Sequence, residues 1–167
     1  VVASNEHTEW YPASKLVDGN FSSAGYDGGR WTTNYGTVSG GEEVYATIDL
    51  GKPYNINAFV GEIVWTGQST KSNAKIYGST DGVEFNDLLA TISGEGVQTV
   101  PVALPQKYQY IKVVGTDWPG MNWGMWELQI YSLDDYLNCE TTYVVSDTDM
   151  TAIDKIPASG EFAVKVN

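Results

Sequence analysis

Val44-Tyr45-Ala46-Thr47-Ile48-Asp49-Leu50 alternates apolar and polar side chains without a break, and Gly51-Lys52-Pro53 closes it. Alternation with period two puts Val44, Ala46, Ile48 and Leu50 on one face of an extended strand. A helix would scatter the same residues around its circumference. The stretch therefore predicts a strand with one side on a core and the other toward solvent.

Further strand-like runs follow along the chain. Tyr54 to Val64 is a second run rich in β-branched and aromatic residues. Ala74-Lys75-Ile76-Tyr77-Gly78 leads into Thr80-Asp81-Gly82, a strong turn signal. Thr91-Ile92, Gln98 to Leu104, Tyr108 to Val114 and Met125 to Tyr131 complete the set. Helical character is confined to a short turn over Pro12 to Val17, where Pro12 suits a first helical position and Gly19 a stop. Short strands punctuated by Gly, Pro and Asp predict an all-β fold, an antiparallel sandwich or barrel. Three connections are long, Asn20 to Arg30, Asn34 to Glu42 and Thr116 to Gly124, and long loops on a rigid sheet are where binding tends to reside.

At 167 residues the chain suits one domain, or one domain plus part of another. Such a length buries enough surface to need neither metal nor disulfide for a core. The formal charge of −12 argues against nucleic acid, which demands a basic stripe, and against an anionic membrane surface, which attracts polybasic segments. Neutral ligands and cations are the compatible partners. Cys139 is alone, so no internal disulfide can form. No apolar run approaches the roughly 18 residues of a membrane helix. The first residue is Val1, which fits a signal segment already removed and an extracellular or cell-surface location.

After Tyr131 the character changes. Asp134-Asp135-Tyr136 reads as an acidic linker, and Phe162-Ala163-Val164-Lys165-Val166 as one strand without partners of its own. Residues 1–131 are expected to form the sandwich. Residues 132–167 read as a linker plus the truncated start of a following, Ig-like sandwich domain, so covalently linked neighbouring domains are expected. The plainer alternative is a tail that packs back on the first domain.

Two short stretches at opposite ends of the first domain each carry a carboxylate beside a turn or strand end: Ser14-Lys15-Leu16-Val17-Asp18-Gly19-Asn20 and Trp126-Glu127-Leu128-Gln129-Ile130-Tyr131. Calcium takes six to eight oxygens, carbonyls included, so one ion could join the two stretches if they meet. Otherwise Asp18 makes an Asx turn and Glu127 faces solvent.

These motifs resemble those of the discoidin, or coagulation factor 5/8 C-type, domain. Arg30-Trp31-Thr32-Thr33, Ile48-Asp49-Leu50-Gly51, Tyr77-Gly78-Ser79-Thr80-Asp81-Gly82, Tyr110-Ile111-Lys112-Val113 and Glu127-Leu128-Gln129-Ile130-Tyr131 follow in that family's order. The loops are most similar to carbohydrate-binding module family 32. The resemblance implies a discoidin-type jelly roll, galactose-binding-domain-like, with a structural Ca²⁺. Its implied ligands are the carbonyls of Lys15, Asn20 and Trp126 and the carboxylates of Asp18 and Glu127. A Ser or Thr ligand usual in the family falls at Ser23 by distance from Asp18, or at Gly29 by distance from Trp31.

Three of the six tryptophans fall between Trp118 and Trp126. Alternation with Leu128 and Ile130 puts Trp126 in the core, and Trp31 reads as core as well. Trp118 and Trp123 sit among Gly and Pro, where an indole needs a surface to cover. Sugars present apolar C–H faces edged by hydroxyls, matching an aromatic plate ringed by amides and carboxylates. Trp65, Gln68, Trp118, Asn122 and Trp123 are candidates for such a site, with Glu6, His7, Trp10 and Thr32 at its rim; Asp117 and Tyr11 are neighbours. Family 32 often has an Arg and an Asn in the loop that here holds Trp65 and Gln68, and a His where Thr32 stands, so a galactose preference does not carry over.

The expectation is a non-catalytic glycan-binding module of a secreted or cell-surface protein. An adhesion domain for proteins, using the same aromatics as interface anchors, is the alternative. Catalysis would need paired carboxylates across a cleft or a nucleophile with a base, and no such arrangement is visible with one His and one Cys.

Overall fold

The computed structural model describes residues 1–7, 9–22, 29–34, 36–37, 43–64, 73–116, 122–133, 142–145 and 163–166. The chain divides into two compact units, Val1–Tyr131 and Ser132–Asn167. In the first, β1 (Val2–Ala3), β2 (Trp31–Thr32), β3 (Val44–Ile63), β4 (Asn73–Ser79), β5 (Asp87–Ser93), β6 (Gln98–Thr116) and β7 (Gly124–Ser132) form one antiparallel sheet. Its order is β2-β7-β3-β6-β4-β5, with β1 on β3. A 3₁₀ turn over Ala13–Val17 is the helical element of this unit among the described residues.

Two runs expected as separate strands are continuous. Val44–Leu50 and Tyr54–Val64 join in β3, and Gln98–Leu104 and Tyr108–Val114 join in β6. The register between them slips between Asp49 and Tyr54, where Gly51 adopts φ +79, and again between Ile56 and Ala58. Such irregularities bend a strand and sharpen its twist. The bent β3–β6 pair thereby carries the sheet from one layer of a sandwich into the other.

The two layers meet through the apolar faces that alternation selects. Val44, Ala46, Ile48, Ile76, Ile111 and Val113 are buried in one apolar cluster with Phe59, Ile63, Met125 and Leu128. Two glycines allow the closest approach. A Cβ on Gly61 would come within 2.5 Å of the Met125 methyl and 2.6 Å of Ile92. One on Gly115 would strike the Trp123 ring at 2.5 Å.

The second unit contains β8 (Thr142–Val145) and β9 (Ala163–Val166), which run parallel from Thr142 opposite Ala163 to Val145 opposite Val166. The terminal alternating segment therefore has a strand partner, contrary to the reading of it as isolated. The partner lies in Thr142-Tyr143-Val144-Val145, a run too short to stand out beside the polar residues around it.

Candidate functional site

Glu127 begins with a strand pattern and ends with a contact far away in sequence. Its flanking residues Trp126 and Leu128 are buried, and the Glu127 side chain reaches the turn that ends the 3₁₀ segment. Gly19, at φ +86, makes that turn and donates its amide to a Glu127 carboxylate oxygen at 2.9 Å. Asp18 accepts from the Asn20 amide at 3.1 Å, an Asx turn, and its other oxygen pairs with the Lys15 ammonium at 3.1 Å. Glu127 is only 2 % exposed, which excludes the solvent-facing alternative. Burial pushes its carboxyl above the usual range, against the lowering effect of the Gly19 amide, and the Asp18 charge adds to the rise.

The donor chemistry of this cluster fits a hard divalent cation. The buried Glu127 carboxylate feels the charge of the more exposed Asp18, and the Lys15 ammonium offsets Asp18. No group of three or more His, Cys, Asp or Glu is positioned for a metal among the described residues, so further ligands would have to be neutral oxygens. Lys15, Asn20 and Trp126 lie in the segments that meet here. Ser23 is outside the described residues. Gly29 is beside the cluster: a Cβ there would stand 2.8 Å from Lys15 Cδ and 3.1 Å from its Nζ. The segment leaving the turn is held by a second buried carboxylate, Glu62, which accepts from the Ser22 amide at 2.9 Å and from its hydroxyl.

The described ends of the long connections meet at one end of the sandwich. Val44 pairs with Gly115, and Asn73 with Thr116. Val64 donates to the Gly124 carbonyl at 3.0 Å, and Thr33 to the Trp123 carbonyl at 2.8 Å. The first loop joins them: His7 donates to the Thr32 carbonyl at 2.9 Å, and Thr32 to that of Tyr11 at 3.2 Å. His7 and Tyr11 bridge a tight turn, and the His7 carbonyl accepts from Tyr11 at 2.8 Å. At the tip of that turn the Trp10 indole is 64 % exposed, its N–H 3.2 Å from a Glu9 carboxylate oxygen. Behind it, the Arg30 guanidinium lies 4.2 Å from the Tyr11 ring centroid and 4.9 Å from that of Trp126, stacked on both.

The candidate sugar residues divide. Trp10 is exposed, His7 and Asn122 are half-buried, and all belong to backbone that the first loop, β2 and the start of β7 bring together. Glu6 is committed to structure, accepting the Ala13 amide at 2.6 Å where the 3₁₀ turn starts. Two expectations are corrected. Trp123 is 2 % exposed and packs edge-to-face on Trp31 with centroids 5.4 Å apart, so it belongs to the core and cannot serve as a sugar plate. Thr32 is also buried, with its methyl against Gly124 in the β2–β7 seam. Gly124 permits both: it lets β2 approach so closely that Trp123 turns inward. Trp65, Gln68, Asp117 and Trp118 lie outside the described residues.

Sequence reasoning also passed over groups that shape this end. Thr33 is buried and its hydroxyl bonds Trp123 twice, accepting from its amide at 2.9 Å and donating to its carbonyl at 3.3 Å. Asn5 accepts from the Asn34 amide at 2.8 Å and donates to the Thr37 hydroxyl at 3.0 Å. Both rely on partners 29 to 90 positions away, which no local pattern announces.

The class these features define is the two-layer antiparallel sandwich with its connections gathered at one end. Residues 1–128 match the model of the F5/8 type C domain, and the chain belongs to this family. Among solved structures it is similar to the family 32 carbohydrate-binding module of NanJ from Clostridium perfringens, solved with galactose. The TM-score is 0.62 and the identity 23 %, covering 78 % of this chain and 91 % of that one. It is similar to CpGH89CBM32-5 from the same organism, solved with GalNAc-β-1,3-galactose, at TM-score 0.63 and 20 % identity, over 78 % and 93 % of the two chains. A pectin-binding module is also similar, at TM-score 0.58 and 20 % identity, over 79 % and 88 %. Comparison with curated proteins returns no match.

Proposed function

We propose that this chain is a non-catalytic glycan-binding module of an extracellular or surface protein, recognising sugar at the loop end of the sandwich. The observation that carries the reading is the Trp10 indole. A large apolar ring is held at 64 % exposure on a turn latched to β2 by two backbone hydrogen bonds. A rigid, exposed ring binds with little ordering cost, which suits the flat C–H face of a pyranose. His7 and Asn122 supply polar edges for hydroxyls. The carbohydrate modules that share the fold support the reading.

The expected affinity is modest. At about 0.3 kcal/mol per heavy atom, a monosaccharide of about a dozen atoms binds in the millimolar range. Longer glycans or linked modules would raise it. In the same proposal, Ca²⁺ is a structural ion held by Asp18 and Glu127 with carbonyls of Lys15, Asn20 and Trp126. It would supply charge that balances the two carboxylates and would fasten the 3₁₀ turn to β7. The buried Glu127 carboxylate, lying within reach of the Asp18 charge, supports that assignment.

The test is a glycan array probed with the wild type and with Trp10→Ala. Selective binding to a set of glycans, lost in the variant while its melting temperature is kept, is the expected result. Equal signals from the two proteins, or binding to protein ligands alone, would remove the proposal.

A further inference from the structure

The solvent face of the layer opposite β7 carries a feature that the loop-end site does not use. Cross-strand register aligns Tyr45 with Val114 and Lys75, and the next outward row aligns Thr47, Lys112 and Tyr77. The Lys112 ammonium lies 4.0 Å from the Tyr45 ring centroid and 5.6 Å from that of Phe85. Lys112 and Phe85, together with Glu43, Tyr77 and Val114, line a shallow depression of about 230 Å³. In a chain with nine Lys and Arg against 21 Asp and Glu, Lys112 among these rings, with Lys75 one row away on the same face, places two cations close together.

We propose that this face is a second carbohydrate site, for a uronate-bearing polysaccharide chain, with Lys112 anchoring the sugar carboxylate and Tyr77 and Phe85 packing on the ring faces. The structure already holds a carboxylate where the ligand's would sit. Glu43 lies 3.3 Å from Lys112 Nζ, and its side chain is 63 % exposed while that of Lys112 is 20 % exposed. An exposed pair of this kind contributes little and exchanges readily. The lysine is fixed over Tyr45, so a carboxylate replacing Glu43 meets a preorganised partner. Lys75, on the same face one row away, offers a second cation to the neighbouring uronate. Aromatic rings beside the cation favour a sugar over an acidic peptide, because a pyranose presents C–H faces as well as charge.

The experiment is calorimetric titration of the whole chain with an oligogalacturonate pentamer, its carboxyl-reduced neutral counterpart and a hexaglutamate peptide. The pentamer should bind, more weakly as salt rises from about 20 to about 200 mM. Lys112→Gln should weaken it about tenfold or more, Phe85→Ala should weaken it too, and Trp10→Ala should leave it unchanged. Thermal melts check that each variant is folded. Failure of the wild type to bind the pentamer, or equal binding by Lys112→Gln and Phe85→Ala, would overturn the proposal. So would equally tight binding of the reduced oligomer or of the peptide. Loss in Trp10→Ala alone would assign the acidic sugar to the loop end instead.

Discussion

Glu127 on β7 accepts a 2.9 Å hydrogen bond from the amide of Gly19, so the last long strand of the sandwich grips the turn after the N-terminal 3₁₀ segment. The bond is charge-assisted and partly buried, and without it the Gly19 amide loses this partner. Glu127→Ala is expected to lower stability by about 2 kcal/mol. If Ca²⁺ occupies the cluster, a concentration 100 times the dissociation constant stabilises the wild type by about 2.7 kcal/mol. EDTA should then lower the wild-type melting temperature and leave that of Glu127→Ala unmoved. Melts with Ca²⁺ and with EDTA for both proteins decide this, and a variant that still gains stability from Ca²⁺ would count against the assignment.

Trp10 and Trp123 should respond to mutation in opposite ways. Trp123 is enclosed by Trp31, Gly115 and the Thr33 hydrogen bonds, so Trp123→Ala removes core volume and should cost about 3–5 kcal/mol. Trp10 is exposed, and Trp10→Ala should alter stability by less than about 0.5 kcal/mol. Urea denaturation of the two variants provides the comparison. Loss of stability in Trp10→Ala similar to that in Trp123→Ala would mean that the first loop is a structural strut.

The contrast between these tryptophans shows where local reading stops. Alternation along Val44–Leu50 identifies a strand and its inward face, because a sheet with one solvated side buries every second residue. Along β7 both faces of Gly124–Leu128 are buried, so the pattern there marks the strand and not a single inward face. The meeting of the Asp18 turn with Glu127 followed only from the resemblance in motif order, and the Gly19–Glu127 hydrogen bond brings the two stretches together. The orientation of Trp123 follows instead from a glycine one position on and a threonine 90 positions away, so neighbouring Gly and Pro residues misplace it at the surface. Thr32 was misplaced for the same reason, since its burial depends on how closely β2 approaches β7. The continuity of β3 was hidden by Gly51 and Pro53, which read as a stop but form a bend within one strand. The role of Trp10 was open because exposure is decided by the latch between His7, Tyr11 and Thr32.

Gly124 should be the least tolerant position at the loop end. A Cβ there would lie 2.4 Å from the Trp31 carbonyl oxygen and 3.1 Å from Thr32 Cα, both backbone atoms that cannot step aside. Gly124→Ala must therefore push β2 off β7, with a cost of about 1–3 kcal/mol and loss of the alignment between the first loop and Trp123. Gly36, at φ +72 with open space around its Cβ position, gives a milder comparison. Chemical denaturation of Gly124→Ala and Gly36→Ala should show the larger loss in the former, and reduced glycan binding should accompany it. Equal losses would show that backbone conformation, and not strand contact, governs this end.

Tyr108 gives the domain an alkaline signature. Its ring packs against Gly78 and its hydroxyl donates to Asp87 at 2.9 Å. Burial, with the Asp87 hydrogen bond and charge behind it, pushes the phenol up from 10.0 to about 12. A folded-state value above the unfolded one means that the native state holds its proton while the unfolded chain loses it. The contribution is thus complete below pH 10 and declines as pH rises toward 12, at up to about 1.4 kcal/mol per unit. Tyr108→Phe keeps the ring but lacks the titrating group. It should be about 1 kcal/mol less stable than the wild type at pH 8, through the lost hydrogen bond. That gap should close between pH 10 and 11.5 as only the wild type pays the ionisation cost. Urea midpoints of both proteins across this range test it, and a constant gap would show that Tyr108 titrates as it does in the unfolded chain.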